Sequence, residues 1–486
     1  MDLFQEYDFF HGYIDQKECR ALLIESGDFL IRSFFKTKTD SKESFLCVLS
    51  VAERSSEIGD NGNQTRIRSV GINALNETSF GIQGSEEAFP TIRALVDSFI
   101  NSKKPVVEQV SLIRSIARQP WEFSRNDIDI PQPEVGLGKG SFGTVIKGKL
   151  LKLDLDVAIK RLNDQANETA FAEALQETRV MRKLDHNNIV KLFGIVIDSM
   201  PLMIVMELVD GNSLSKVLRG RTLPNGYRMS FIVGLMYGLA YMHDRGYIHR
   251  DVAARNVLVS KDWQKVKLID FGLSRNGPSY TFTTFQKIPT RWLSPEVCRD
   301  GLFSQKSDIW AFAVTCWEMY NDGAEPYHNL KNPEVRAIVL DQEKFEENRL
   351  NLKPCAGDEK PPQAFHTFLR ALFEHNHKKR PGSSKMLSLF EKVAVELTGA
   401  DVENVRLQVQ KGQFQSKVGN SCRPHRQATA RSITPSRESA RVLKKSAQMP
   451  PTAKSRRGRS TSGRPPVTDK DKDDKKVKTR RRRSKA

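Results

Sequence analysis

The first hundred residues alternate between two hydrophobic periods. Residues 28–33 and 44–51 are short apolar runs that end in polar turns, which is typical of β-strands. Residues 17–23 and 92–100 instead repeat apolar positions at helical spacing. One mixed module with both strands and helices is therefore predicted over residues 7–106.

The pattern changes twice later in the chain. After a predicted linker at 107–129, which contains Pro120 and Trp121, residues 130–398 begin with strand-like segments and continue with longer helical ones. This order predicts a β-rich lobe joined to a helical lobe, so the fold class is α+β with several domains. Residues 399–486 are mostly polar and basic, and we expect this tail to be disordered because it has too little apolar surface to offset chain entropy.

Charge is unevenly distributed along the chain. The 486 residues have a formal net charge of +19, of which residues 401–486 carry +18. The basic clusters at 456–459 and 480–483 are suited to an anionic membrane surface, nucleic acid or another polyanion, or to nuclear entry. Because the rest of the chain is nearly neutral, nucleic-acid binding is at most an accessory role.

Cysteine spacing and the N-terminus bear on the compartment. Six scattered cysteines form no C-x-x-C pair and no Cys/His cluster, which argues against a disulfide scaffold and against a structural metal. No basic, apolar leader is visible, and the longest apolar stretches are too short to cross a bilayer. We therefore expect a cytoplasmic protein, which its basic tail could bring to the plasma membrane.

A glycine-rich segment lies near the start of the β-rich lobe. Its characteristic residues are Gly138, Gly140, Phe142, Gly143 and Val145. Glycine lets a backbone approach phosphates closely, and the strand pattern after it favours a hairpin lid over a Rossmann turn, which needs a helix there. Lys160 ends the next apolar strand and could hold phosphates, with Glu177 as its partner. The alternatives are a snorkelling lysine and a solvated glutamate.

Two further motifs supply polar groups suited to catalysis. Asp251 could accept a hydroxyl proton, and Asn256, five residues later, could bind a metal. Asp270 follows an apolar strand, a position suited to a magnesium ion held against phosphates. Each motif alone has a structural alternative, but their order along the chain is specific.

The glycine loop, strand lysine, helix glutamate, H-R-D-x-x-x-x-N and D-F-G motifs, in this order, resemble a protein kinase domain over residues 130–398. The resemblance implies ATP as phosphoryl donor, with Mg²⁺ or Mn²⁺ held by Asn256 and Asp270. It also implies that Asp251 accepts the substrate proton and that Arg255 neutralises the transferring phosphoryl group.

The same resemblance implies which residues surround the nucleotide. They are the glycine-rich segment, Lys160, Glu177, and the hinge residues Glu207 and Val209. Three other positions resemble structural elements of kinases. Glu296 and Arg380 resemble an ion pair at the end of the activation segment, and Asp308 resembles a helix residue that braces the catalytic loop.

Residues 251–256 resemble the catalytic loop of tyrosine kinases in particular. Position 253 is alanine where serine/threonine kinases usually carry lysine, and residues 289–292 resemble the segment that supports a phenol ring. The implied substrates are protein tyrosine residues, and Tyr280 stands where an autophosphorylation site is expected. The rival interpretation, an adaptor with a pseudokinase, is disfavoured because every catalytic position is present.

Residues 7–106 resemble a Src homology 2 (SH2) domain, which is a central antiparallel sheet flanked by two helices. The motifs at 10–14 and 27–33 carry the resemblance, which implies that Arg32 binds phosphotyrosine through two hydrogen bonds. The alternative is a strand arginine in a surface ion pair. Gln16 stands where a second phosphate-binding arginine is usual. Nearby basic residues that could replace it are Lys17, Arg66 and Arg68.

An SH2 domain followed directly by a tyrosine kinase, with Trp121 in a short linker, resembles the Fes/Fer family of non-receptor tyrosine kinases. The resemblance implies phosphotyrosine-containing partners and a role in intracellular signalling. We expect a shortened form without the long N-terminal membrane-binding region of that family.

Overall fold

The computed structural model describes residues 7–33, 47–55, 65–76, 78–140, 143–163, 168–282, 289–348, 350, 352 and 361–398. Phe142 and the predicted tail at 399–486 lie outside these residues. Within the described residues, no helix combines the length and the apolar character that crossing a membrane requires.

Residues 7–116 form an N-terminal module with one main sheet. Its strands are β1 (Phe10–Tyr13), β2 (Asp28–Ser33), β3 (Cys47–Arg54), β4 (Thr65–Asn76), β5 (Ser79–Ile82), β6 (Pro105–Val107), β7 (Val110–Ser111) and β8 (Arg114–Ser115). Its helices are α1 (Gln16–Leu22) and α2 (Ile92–Ser102). Strands β2 to β5 are antiparallel neighbours, whereas β1 and β8 join β2 in parallel, and β6 pairs with β7.

Alternation along β2 explains why the two helices pack on opposite faces. Phe29 and Ile31 belong to the core that includes Phe99 of α2, whereas Leu30 belongs to the core that includes Cys19 of α1. Successive side chains of a strand point to opposite faces, so one strand contributes to both cores. Each helix begins at a side-chain cap, Asp15 for α1 and Thr91 for α2.

The small lobe is a second sheet with one helix. Its strands are β9 (Glu122–Phe123), β10 (Ile128–Asp129), β11 (Gly136–Gly140), β12 (Gly143–Leu150), β13 (Leu155–Leu162), β14 (Leu192–Val196) and β15 (Met203–Glu207), and its helix is α3 (Glu168–Met181). The order is β10-β12-β13-β15-β14-β9, with β11 paired to β12. Residues 107–129, predicted as a linker, thus contribute strands to both sheets.

The large lobe is mainly helical, as its sequence pattern predicts. Its helices are α4 (Leu214–Leu218), α5 (Asn225–Asp244), α6 (Pro295–Asp300), α7 (Gln305–Tyr320), α8 (Asn332–Leu340), α9 (Gln342–Glu347), α10 (Gln363–Leu372) and α11 (Ser383–Thr398). Its short strands are β16 (Gly211–Ser213), β17 (Tyr247–Ile248), β18 (Val257–Ser260), β19 (Val266–Leu268), β20 (Arg275–Asn276), β21 (Ser279–Thr281) and β22 (Leu302–Ser304). Helix α7 is apolar on nearly all sides and lies in the middle of the core.

The first strand of the N-terminal module packs directly on the small lobe. Tyr13 donates its backbone N–H to the carbonyl of Ile197 at 2.8 Å. At Gly12, where φ is +55°, a Cβ would lie 2.0 Å from the same carbonyl oxygen, so only glycine allows this approach. The buried His11 has its Nδ1 at 2.8 Å from the Glu122 carboxylate of β9 and its Nε2 at 2.9 Å from the carbonyl oxygen of Ile116.

Charged side chains join helix α1 of the N-terminal module to α3 of the small lobe. Glu18 accepts from Arg179 Nε at 2.9 Å and from Arg182 Nη2 at 2.7 Å. Asp15 accepts from Arg179 as well. Arg182 also lies 3.7 Å above the ring centre of Trp121. Helix α3 is therefore held by the N-terminal module and by the segment that follows it.

Candidate active site

A buried ion pair joins β13 to α3 in the small lobe. Lys160 Nζ lies 2.6 Å from Glu177 Oε2 and 2.9 Å from Oε1. Both side chains are buried, so the snorkelling and solvated alternatives are wrong. Burial by itself lowers the pKa of the Lys160 ammonium, but the charges of Glu177 and Asp270 outweigh it and raise the pKa above its ordinary value.

Asp308 of helix α7 binds the backbone of the catalytic loop. This buried carboxylate accepts the backbone N–H of His249 at 2.7 Å and that of Arg250 at 2.9 Å. His243 of α5 lies 3.1 Å from the same carboxylate. Arg250 has φ of +71°, an unusual conformation for a non-glycine residue that these hydrogen bonds stabilise. The predicted role of Asp308 as a brace of this loop therefore agrees with the geometry.

Asp251 lies at the centre of a short network. Asn256 Nδ2 donates to Asp251 Oδ2 at 2.6 Å and to its carbonyl at 2.8 Å. Arg255 pairs with the other carboxylate oxygen. Since the amide nitrogen of Asn256 is engaged by Asp251, its amide oxygen is the group suited to bind a cation.

Asp270 and Phe271 connect this loop to α3. Asp270 has φ of +66°, in the left-handed region. Phe271 is buried in the core of the large lobe, with its ring 5.4 Å from that of His249, and its backbone N–H donates to Glu177. The same glutamate therefore binds Lys160 and fixes the turn that carries Asp270.

The glycine-rich segment forms the predicted hairpin. Gly138 of β11 lies opposite Val145 of β12, and Gly140 lies opposite Gly143. A Cβ at Gly143 would lie 1.9 Å from the carbonyl oxygen of Arg161, whereas one at Gly138 would meet nothing within 4 Å. Packing explains glycine at position 143 but not at position 138, where the open backbone suits a ligand that approaches closely.

The two remaining residues predicted to surround the nucleotide, Glu207 and Val209, lie at the end of β15 and just beyond it. Glu207 closes β15, and its carboxylate lies 2.7 Å from Lys267 Nζ. The side chain is therefore engaged within the protein, and so is the backbone N–H, which donates to the carbonyl of Lys191 at 2.9 Å. Val209, two residues later, is half-buried.

Oxygen ligands on the catalytic loop and on the turn that carries Asp270 fit a magnesium ion held with phosphates. Carboxylate and amide oxygens, here from Asp270 and Asn256, are hard ligands of the kind that Mg²⁺ prefers. Within the described residues, no group of three or more His, Cys, Asp or Glu side chains could hold a metal by itself. Magnesium commonly binds one or two protein ligands and completes its shell with phosphate and water.

Comparison with known proteins agrees with this geometry. A family model described as protein tyrosine and serine/threonine kinase matches residues 133–390. Fer-related kinase 1 of Caenorhabditis elegans is 31% identical over 339 residues, which are 68% of this chain and 82% of the relative. The chain belongs to the Fes/Fer family of protein kinases.

Other members of the Fes/Fer family are longer than this chain. The tyrosine-protein kinase transforming protein Fps of avian sarcoma virus (strain PRCII) is 30% identical over 381 residues, or 76% of this chain and 65% of the relative. Tyrosine-protein kinase Fer of Homo sapiens is 32% identical over 341 residues, or 69% of this chain and 39% of the relative.

The segment expected to support the substrate in this kinase domain packs against the catalytic loop. The Arg255 guanidinium lies 4.4 Å above the ring centre of Trp292, so the residue that pairs with Asp251 also covers this platform. The neighbouring Arg291 donates to the carbonyls of Pro326, Tyr327 and Leu330. The cation–π contact of Arg255 and the charged hydrogen bonds of Arg291 thus hold the platform from two sides.

The predicted ion pair at the end of the activation segment is present. Arg380 Nη1 and Nη2 lie 2.7 and 3.0 Å from the two oxygens of Glu296, and both side chains are fully buried. This bidentate geometry ties α6 to the turn before α11.

Tyr280 lies on β21, where it pairs with Phe303 of β22. The Arg250 guanidinium is 4.2 Å and that of Arg275 is 5.4 Å from the Tyr280 ring centre. Burial and the charge of Arg275 lower the pKa of Arg250 to about 10, so the guanidinium remains cationic at neutral pH. Two positive charges therefore face the predicted modification site.

Arg32 lies on the α1 face of the N-terminal sheet, far along the chain from the kinase motifs. Its Nε donates to Ser50 Oγ at 3.1 Å, and Ser50 in turn lies 2.9 Å from Ser69 Oγ. Among the proposed substitutes for a second arginine, Arg68 instead pairs with Glu53 and Glu108, each at 2.6 Å. Gln16 and Lys17 are exposed at the start of α1.

Two functional features escaped the sequence prediction. The contacts of Arg179 and Arg182 with Glu18 join helices about 160 positions apart, and no local pattern indicates them. Glu318 is a buried carboxylate beneath the catalytic loop. The signal for Glu318 was available, because it is a charge between Trp317 and Met319 in the mainly apolar stretch that follows Asp308.

Proposed function

We propose that this chain is a non-receptor protein tyrosine kinase that transfers the γ-phosphoryl group of ATP to protein tyrosine residues. The observation that carries the proposal is the assembly of Lys160, Glu177, Asp251, Asn256 and Asp270 in one network of contacts from four separate segments, which are β13, α3, the catalytic loop and the turn that carries Asp270. The family membership supports the same conclusion.

Each of these residues has a separate role in the proposed reaction. Lys160, held by Glu177, orients the nucleotide phosphates beneath the hairpin of Gly138 and Gly143. Asp251 accepts the hydroxyl proton of the substrate, with its carboxylate oriented by Asn256. When bound by Asp270 and Asn256, Mg²⁺ would supply positive charge next to the phosphates.

Tyrosine is favoured over serine as the acceptor by the surroundings of Asp251. Ala253 leaves the loop without the lysine of serine/threonine kinases, and Arg255 is the nearby cation instead. The Trp292 platform lies beside this arginine and offers an apolar support for a phenol ring. The Fps and Fer relatives are themselves named as tyrosine-protein kinases.

The test is phosphoryl transfer by the purified full chain to three peptides that differ only in a Tyr, Ser or Thr acceptor. We expect transfer to tyrosine alone, dependent on ATP and Mg²⁺. Asp251→Asn should reduce the rate by about 10²–10⁴-fold, because a positioned base is lost. Asp300→Asn, a change of an exposed carboxylate in the same lobe, is the matched control. Full activity of the Asp251 variant would reject the mechanism, and preferred transfer to serine would reject the substrate class.

We also propose that the N-terminal module is an SH2 domain that docks phosphotyrosine-containing proteins. The support is Arg32, half-buried on a strand and oriented by Ser50, beside the exposed start of α1. A planar guanidinium can donate two parallel hydrogen bonds to one phosphate.

A further inference from the structure

Glu318 of α7 is a buried carboxylate that the proposed chemistry leaves without a role. Its side chain is 4% exposed, and its neighbours on the helix, Cys316 to Tyr320, are also buried. A carboxylate in such a place destabilises the fold unless hydrogen bonds compensate for lost water. Its presence beneath the catalytic loop therefore needs an explanation.

The two donors to Glu318 come from two different functional segments. Ala254 of the catalytic loop donates its backbone N–H to Oε2 at 3.0 Å. Trp292 of the substrate platform donates its indole N–H to the same oxygen at 2.9 Å. One oxygen atom thus sets the separation between the loop that carries Asp251 and the surface expected to hold the tyrosine.

Arg255 provides a second connection between Asp251 and Trp292. Arg255 pairs with Asp251 and covers the Trp292 ring, whose far edge is bound to Glu318. A shift of Trp292 would therefore remove a support of Arg255 as well. Lys160 and the glycine hairpin belong to the small lobe and make no contact with Glu318 in the described structure.

We infer that Glu318 is a positioning residue that fixes the tyrosine-binding platform relative to Asp251 through hydrogen bonds to Trp292 and Ala254. The inference rests on the proposed tyrosine kinase function and deepens it. It predicts that Glu318 governs use of the peptide and leaves use of ATP unchanged.

The variants separate hydrogen bonding from packing. Glu318→Leu keeps a similar volume but removes the acceptor, whereas Glu318→Gln keeps an acceptor oxygen. Trp292→Phe removes the indole donor together with the fused pyrrole ring and keeps a six-membered aromatic ring under Arg255. Thr315→Val changes a buried hydroxyl of the same helix that bonds only to the carbonyl of Ala311, and it is the matched control.

The experiment measures, on the full chain, kcat and KM for a tyrosine peptide, KM for ATP, ATP hydrolysis without peptide, and the thermal midpoint. We expect Glu318→Leu to lower kcat/KM for the peptide at least tenfold, while KM for ATP and the peptide-free hydrolysis change less than twofold. Glu318→Gln should recover to within about threefold of wild type, and Trp292→Phe should fall between the two.

Three results would overturn the inference. One is a loss for Glu318→Leu that affects peptide use and peptide-free hydrolysis equally, in proportion to a lowered thermal midpoint. Another is a Glu318→Gln variant as impaired as Glu318→Leu. The third is wild-type kcat/KM in Trp292→Phe, which stays informative even if Glu318→Leu does not fold. Failure of the proposed function is distinct, because the wild-type protein would then phosphorylate no tyrosine peptide at all.

Discussion

Arg179 donates its Nε to the buried Glu18 at 2.9 Å, two residues beyond Glu177 on the same helix. The residue that orients Lys160 thus lies on a helix restrained by the N-terminal module. Since α3 must hold Glu177 against Lys160 for the nucleotide site to be complete, this contact links the two modules energetically.

Reversal of the charge at Glu18 should lower kinase activity. In Glu18→Lys, Arg179 and Arg182 would face a like charge, and α3 would lose the part of its restraint that Glu18 provides. A partly buried network of this kind contributes about 1–2 kcal/mol, so we expect a roughly 5- to 30-fold loss of tyrosine phosphorylation. Hydrogen exchange of α3 should accelerate in the same variant.

The control for this change is Lys104→Ala, which breaks an exposed ion pair with Glu87 in the same module. It should leave activity unchanged. Equal activity and equal α3 exchange in wild type and Glu18→Lys would show that the contact between the modules does not influence the site.

Tyr280→Phe should lower basal activity several-fold. Phosphorylation of Tyr280 would place a dianion near Arg250 and Arg275 and order the activation segment through charge-assisted hydrogen bonds. Mass spectrometry of active protein should find phosphate on this residue. Tyr247→Phe, which alters another partly buried tyrosine of the large lobe, is the control. An unmodified Tyr280 in fully active protein would contradict the prediction.

Arg32→Lys should nearly abolish phosphotyrosine-peptide binding by the full chain. An ammonium cannot donate two parallel bonds to one phosphate, and loss of one partner of a buried charge pair costs about 2–5 kcal/mol. Gln16→Arg should instead tighten binding by about 1–2 kcal/mol, because it adds a charge-assisted hydrogen bond at the start of α1.

Calorimetric titration with phosphorylated and unphosphorylated forms of one peptide measures both effects, with Arg54→Lys as the control on an exposed strand position. Equal affinity for the two peptide forms would mean that the module does not recognise phosphate.

Arg380→Ala should destabilise the large lobe by about 3–5 kcal/mol, because it leaves the Glu296 carboxylate buried without its cation. Lys149→Ala, which breaks an exposed pair with Asp154, should leave the thermal midpoint unchanged. Chemical denaturation monitored by tryptophan fluorescence measures the difference. A shift no larger than that of the control would mean that water reaches Glu296.

Stability should depend on pH through Glu318. Burial and the nearby charge of Asp251 raise the pKa of Glu318 to about 7, although hydrogen bonds from Ala254 and Trp292 oppose the shift. The folded protein therefore keeps a proton that the unfolded chain releases near pH 4.3, and the stability gained this way is lost as the pH rises through 7.

Relative to Glu318→Gln, wild type should lose about 1.4 kcal/mol of stability between pH 6 and pH 8, a figure that follows from proton linkage at this pKa. Because both proteins contain the same histidines, subtracting the stability of the variant from that of wild type at each pH removes the contribution of histidine titration. Parallel stability profiles of the two proteins over this range would place the pKa of Glu318 outside it.

The residues of the candidate site could be proposed from the sequence because their signals are local. Strand residues after Gly143 indicated a hairpin, and β11 and β12 form one. The sequence allowed either a pair of Lys160 with Glu177 or two separate solvent-exposed side chains. Only the burial of both side chains in the folded structure decides between these alternatives. The order of the motifs points to the candidate site residues. Their contacts and protonation can be described only once the folded structure is known.

The contacts between the modules were not predictable for a physical reason. Glu18 and Arg179 each lie on a helix beside polar neighbours, where a charge is normally solvated. Strands β8 and β9 have only two residues each, too few for a hydrophobic period to appear. Such features depend on surfaces that meet only after each module has folded.

The buried pair of His11 and Glu122 determines where this chain can be divided. A kinase fragment that starts between Ile116 and Trp121 would retain Glu122 but lose the histidine that satisfies it. A fragment of the N-terminal module that ends there would expose His11 with one ring nitrogen unbonded. Either half would therefore be less stable than the same residues in the intact protein, and activity measured on an isolated half would underestimate that of the whole.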